Sequence, residues 1–172
     1  EVPLSRWDPD TVLAAIPSAD RTALNRVRYG SFLDESDLNS FNHHTFRIAA
    51  AEASRMDVSQ KLLLTAAKEA LDDAKMSEAK SRQTRSIGVF VGAGGVTDNH
   101  LTNGSTRQLK HSVFDATSNT LSVAAGRVSY SLGLQGPCSS TDTACSSSLV
   151  ALHAARRSLQ HNECNVAVVL GV

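Results

Sequence analysis

Apolar positions are grouped along the chain rather than scattered. From Asp57 to Ala74, the residues Leu63, Ala66, Ala67, Ala70, Leu71 and Ala74 recur at spacings of three and four, which puts them on one face of a helix. Asp57 is suited to cap its start, while Val58-Ser59 offers no proline to pre-set the first turn. A second helix is predicted over Ser118–Leu132, with Leu121, Ala124, Val128 and Leu132 as its stripe and Gly133 just past its end. Ser86–Val91 and Val166–Leu170 are short runs with almost no polar residue, the pattern of strands covered on both faces. Lys75–Arg85, Val96–Asp115 and Gln160–Asn165 are polar and read as connections. In residues 1–44, Pro3, Pro9 and Pro17 interrupt any period, and Asp34–Asn42 reads as loop.

Gly136-Pro137 forces a turn, after which Cys138–Thr143 is predicted as a strand that leads directly into a helix from Cys145 to about Leu159. With Val166–Leu170 this makes a βαβ unit, whose parallel crossover is expected to be right-handed. Cys145 falls at the strand–helix junction. A thiol there sits over the unsatisfied N–H groups of a helix start, where the dipole favours a thiolate and hence a nucleophile. The competing reading is a buried structural cysteine. Ser146-Ser147-Ser148 weigh against that reading: serines are poor in a helix interior but suit a first turn that stays small around a ligand.

Charge narrows the function. Seventeen basic residues balance seventeen acidic ones, so no net field points to nucleic acid or an anionic membrane. No apolar run reaches membrane-spanning length, and the N-terminus lacks a signal-peptide pattern. Cys138, Cys145 and Cys164 are odd in number and irregularly spaced, so neither a disulfide framework nor a zinc site is suggested. Reduced thiols in a cytoplasmic compartment fit best. The abrupt start at Glu1 and the stop at Val172, within an apolar strand, lead us to expect a fragment.

Other groups are less promising. Gly92-Ala93-Gly94-Gly95 follows a strand but matches neither a dinucleotide nor a P-loop pattern, so it is read as a tight turn with close backbone packing. His43-His44 has no further ligand at a sensible spacing, and no metal is expected. Asp142 lies three residues before the thiol, a separation that faces opposite ways on a strand, so a structural hydrogen bond is expected of it. His153 is over two helical turns beyond Cys145 and cannot serve as its base through local geometry. Arg156 and Arg157 are read as charges near the helix C-terminus, and Cys138 and Cys164 as inert.

Asp142-Thr143-Ala144-Cys145-Ser146-Ser147-Ser148 resembles the active-site signature of β-ketoacyl synthases, most closely those of modular, type I polyketide synthases. The similarity extends over nearly the whole chain. Val2–Asp8 resembles the family's "VPxxRWD", Tyr29–Leu33 its "GGFL", Ala53–Leu64 its "AxxMDPQQRLLL" and Glu69–Ala74 its "EALEDA". Gly126–Tyr130 and Leu132–Pro137 are similar to the helix and turn that precede the catalytic strand. The resemblance implies a thiolase-like layered α/β fold (α-β-α-β-α), of which residues 1–172 would be the N-terminal part, lacking the first strand and the C-terminal half. It implies that Cys145 is the nucleophile and its backbone N–H one oxyanion donor. No bound cofactor is implied, since the acyl chain arrives on the phosphopantetheine of an acyl carrier protein. The expected partners are that carrier and a second copy, joined through the strand before Cys145. The family's catalytic histidine motifs (H-G-T-G-T and N-x-G-H) do not occur here; His43, His44, His100, His111, His153 and His161 all lie in other contexts. The 172 residues alone are therefore expected not to condense. Alternatives are a fatty-acid ketosynthase, a non-condensing decarboxylase or dimer-partner relative, and a pure interaction module. A cysteine hydrolase is further off, because no His and Asn or Asp partners are evident.

Overall fold

The computed structural model describes residues 1–14, 26, 28–76, 86–94, 112–118 and 120–172. The chain divides into two compact units, residues 1–40 and 41–172. In the first, helix α1 (Pro9–Ala14) begins after Asp8, whose carboxylate accepts from the Asp10 amide at 3.0 Å and the Thr11 hydroxyl at 2.5 Å. The Thr11 hydroxyl, and then the Asp10 amide, hold the Asp8 carboxyl below its ordinary value. A carboxyl so lowered favours the fold above the ordinary aspartate range, and that contribution fades as pH falls through the folded-state value. Arg28 ties the unit together through Glu1 (3.2 Å) and Asp10 (2.7 Å), and Trp7 meets Phe32 edge to face at 6.0 Å. The expected loop over 34–42 contains helix α2 (Glu35–Asn39), a single short turn that propensity alone does not reveal.

The second unit is built on a three-stranded parallel sheet of β1 (Ile87–Gly92), β2 (Cys138–Thr141) and β3 (Val166–Gly171) in the order β2-β1-β3. β1 is buried at every position, as its apolar run predicts. Ile87, Val89 and Val91 face one side, where they meet Val168 and Leu170 and two helices. These are α4 (Val58–Asp73), which contributes Leu63, Leu64, Ala67 and Leu71, and α6 (Leu121–Leu132), which contributes Ala124, Ala125 and Val128. Phe90, Ala167 and Val169 face the other side, against Ala151 and Ala155 of α7 (Ser147–Gln160). Helices on both faces of a parallel sheet make the layered α/β arrangement expected. The β2–α7–β3 crossover passes over β1, which lies between its two strands.

The predicted elements are recovered with instructive changes at their ends. Asp57 caps α4 by accepting from the Ser59 amide at 2.7 Å, and Gly133 closes α6 with φ 69°. The helix expected over 118–132 starts three residues later, as α6, and a short α5 (Asp115–Ser118) that was not expected precedes it. The Ser118 carbonyl accepts from the Asp57 amide at 2.9 Å, and the Thr117 carbonyl from Gln60 at 3.1 Å and Arg127 at 3.3 Å. Carbonyls so engaged are drawn away from a continuous helical ladder, and Thr120 is extended between the two helices. Of the expected connections, Ser77–Arg85 and Gly95–His111 lie outside the described residues. Gly136 is required by contact: a Cβ there would lie 2.5 Å from the Gly88 nitrogen and the Ile87 carbonyl carbon.

Helix α3 (Ala50–Ala53) carries Glu52, which pairs with Arg127 of α6; the guanidinium side chain is only 9% exposed. Removing one partner of a buried pair strands the other charge, so Glu52→Ala should cost about 3–5 kcal/mol. Lys68–Asp72, an exposed i,i+4 pair on α4, is the contrast, and Lys68→Ala should cost only about 0.3–0.5 kcal/mol. Urea unfolding of the two variants against the parent should separate them by several-fold.

Candidate active site

β2 ends at Thr141, and α7 begins at Ser147 with Ser146 as its N-cap. The five residues Asp142–Ser146 therefore form a tight turn, and Cys145 lies in it, one residue before the cap. The helix expected to start at Cys145 starts two residues later. The turn is held by its own side chains. Asp142 accepts from the Ala144 amide at 3.0 Å, and the Ser146 hydroxyl donates to the Thr143 carbonyl at 2.8 Å. The Ser147 hydroxyl accepts from the Thr143 amide at 2.8 Å and donates to the Ala144 carbonyl at 2.6 Å. Ala144 adopts φ 54°, a left-handed conformation that costs an L-residue roughly 1–2 kcal/mol. The strain turns the chain sharply enough to lift the next residue, and Cys145 is exposed.

Cys145 opens onto a cleft of about 740 Å³ lined by Gly92, Gly94, Asp142, Ser148 and Gly171, among others. The glycines are there for space. A Cβ on Gly92 would lie 2.5 Å from the Ser148 amide nitrogen and would overlap the Ser147 carbonyl, and one on Gly171 would lie 3.0 Å from the Ser148 Cβ. The glycine cluster after β1 is thus a close-approach device, as expected. Its reason is contact and not positive φ, for among the described glycines only Gly133 has positive φ. Gly95 lies outside the described residues.

The other sequence candidates separate from this site. Asp142 does make the expected structural hydrogen bond, but it stands beyond the strand, so side-chain alternation is not the cause. His153 is exposed on α7. Arg157 is in the last turn and donates to Gln160 at 3.2 Å and His161 at 2.8 Å; Arg156 lies one position earlier and is exposed. His43 uses its Nδ1 on the Ile48 carbonyl at 2.7 Å, and its ring lies 4.0 Å from that of His44. All three cysteines are free; Cys164 is buried, while Cys138 is exposed on β2. The residue that sequence reasoning undervalued is Ser147, read as small filler yet only 3% exposed and bonded on both sides. Its signal was a serine in the first turn of the predicted helix, where a side-chain oxygen can bond nearby backbone groups.

Replacing Gly92 tests the close approach. Gly92→Ala must push the start of α7 off β1, and overpacking of this kind typically costs about 1–3 kcal/mol. Alkylation of Cys145 by iodoacetamide should also change, because the displaced segment carries the thiol. An unchanged melting temperature and an unchanged rate would show that the contact is not tight.

Comparison with known proteins places this geometry in context. A family model described as β-ketoacyl synthase, N-terminal domain, matches residues 1–172. The chain is 42% identical over 166 residues to the pikromycin polyketide synthase component PikAII of Streptomyces venezuelae, covering 96% of this chain and 4% of that protein. It is 39% identical over 173 residues to the phenolphthiocerol synthesis polyketide synthase type I Pks15/1 of Mycobacterium bovis, covering 100% of this chain and 8% of that one. Among solved structures, it superposes on the ketosynthase from module 6 of the bacillaene synthase of Bacillus subtilis 168 with a TM-score of 0.68 and 29% identity. That match covers 100% of this chain and 26% of the other. The chain therefore spans only a small part of the relatives it matches.

Proposed function

The chain belongs to the β-ketoacyl synthase family, within its N-terminal domain, and from that premise we propose that it forms part of a ketosynthase in a polyketide synthase, with Cys145 as the nucleophile. The observation that carries the reading is the exposed thiol on a strained turn, facing an open cleft beside the start of α7. The thiolate sulfur attacks the carbonyl carbon of an acyl thioester on a carrier protein's phosphopantetheine. A bond to the Cys145 sulfur forms, the bond to the carrier sulfur breaks, and the departing thiolate takes up a proton to become the free phosphopantetheine thiol. The Cys145 backbone N–H supplies one donor to the oxyanion formed on the way.

The second half of the reaction is decarboxylation of a malonyl extender and attack of its carbanion on the acyl-cysteine. It needs histidines of the family type, which residues 1–172 do not contain. β-Ketoacyl product from these residues alone would overturn the assignment of that step to groups outside them. A homodimer is the assembly we propose, joined through β2. The support is that among the described residues β2 pairs with β1 on one edge only, and its Cys138 and Ser139 are exposed. Among the described residues no helix is long and apolar enough to cross a membrane.

The test is acyl loading of the full-length protein from an acyl-phosphopantetheine thioester, with the modified peptide located by mass spectrometry. The acyl group should appear on Cys145, and Cys145→Ala should reduce loading and product roughly a thousandfold or more. Cys138 is a second free thiol outside the cleft, on the strand edge that the proposed dimer would cover. Loading at Cys138, or undiminished product from Cys145→Ala, would sink the proposal.

A further inference from the structure

Cys145 is exposed on a turn whose backbone is strained, and neither fact by itself explains what keeps the thiol in one place. The hydroxyl of Ser147 lies at the point where strand, turn and helix meet. It accepts from the Thr143 amide, two residues before the thiol, and donates to the Ala144 carbonyl, one residue before it. Both groups belong to the peptide units that determine the path into Cys145. Ser147 is 3% exposed, and its backbone is seated against Gly92 at the end of β1. An anchor fixed to the sheet thus reaches back and holds the turn at two atoms. The Ser146 hydroxyl makes bonds of similar length to Thr143, at 2.8 Å to the carbonyl and 2.9 Å to the side-chain oxygen, but it does so from an exposed position with no such anchorage.

We infer that Ser147 is a positioning residue for the Cys145 thiol, holding Ala144 in its left-handed conformation so that the sulfur faces the cleft. The inference rests on the proposed role of Cys145 as nucleophile. Ser147 does not touch the reacting atoms; it acts through the turn. Placement errors of about an ångström in a reacting group are enough to cost roughly a hundredfold in rate. Losing the clasp should therefore slow acyl transfer while changing the binding of the acyl thioester little.

The experiment uses the full-length protein and single-turnover loading of Cys145 from an acyl-phosphopantetheine thioester, over a range of thioester concentrations. Ser147→Ala should lower the maximal loading rate by roughly a hundredfold, with the half-saturating concentration within about threefold of the parent, as expected when only positioning is lost. Ser146→Ala should change the rate less than about threefold, and Ser147→Thr, which keeps the hydroxyl, should recover most of the loss. A Ser147→Ala protein that loads at the parent rate overturns the inference, as does a folded Ser147→Thr protein as slow as the alanine variant. Loss of fold in Ser147→Ala also overturns it, since the hydroxyl would then support the domain and not the thiol. Failure of the parent to load at Cys145 is a different result, because it removes the nucleophile on which the inference rests.

Discussion

The site depends on the contact between the end of β1 and the beginning of α7. At the carboxyl end of β1 the start of α7 meets the strand backbone to backbone, with no side chain between them. Gly92 makes this possible, with the Ser147 and Ser148 peptide groups lying where a Cβ would stand. The rest follows from that contact. With α7 seated so close, the chain has five residues in which to leave β2 and enter the helix. Such a short path forces a sharp bend, and Ala144 absorbs it at φ 54°. Cys145 is exposed because it stands at the top of this bend.

The opposite side of the sheet is held by a different kind of interaction. Ser118 and Thr117 carbonyls, Gln60, Asp57 and the Glu52–Arg127 pair tie α3, α4, α5 and α6 together around buried polar groups. The Arg127 Nε and Gln60 Oε1 have no hydrogen-bond partner among the described residues. Buried polar groups contribute little net stability but fix one arrangement against its neighbours, since any slip leaves more of them unpaired. Here they tie α6 to α3, α4 and α5. α6 in turn meets β2, where the Ala125 amide donates to Ser140 at 3.1 Å. The polar layer therefore bears on the strand that leads to the thiol, through one helix and one hydrogen bond.

Much of this was legible in the chain itself. Periodicity located α4 and α6, the apolar runs located β1 and β3, and Asp57 and Gly133 marked ends correctly, because each of these features is fixed by local propensity together with one buried face. Around the candidate site, the passage from strand to helix through Cys145 was legible in the local pattern. The positions of helix starts were not. The start of α7 at Ser147 and not Cys145 goes with the room Gly92 leaves, and the start of α6 at Leu121 and not Ser118 goes with the bonds Asp57 and Gln60 make to the Ser118 and Thr117 carbonyls, more than fifty residues away in sequence. Those are tertiary hydrogen bonds and contacts, and a local pattern carries no trace of them.

Strain and anchorage have to be considered together. A residue in the left-handed region relaxes if the surrounding bonds allow it, so Ala144 persists only because the turn is over-determined. Asp142 holds the Ala144 amide, and Ser147 holds its carbonyl. The two peptide units that flank the strained α-carbon are thus each gripped, one from the strand side and the other from the helix. Either grip alone would leave the bend free to open about the other. A thiol placed by two opposed anchors is preorganised, so in the proposed acyl transfer little conformational freedom would remain to be lost.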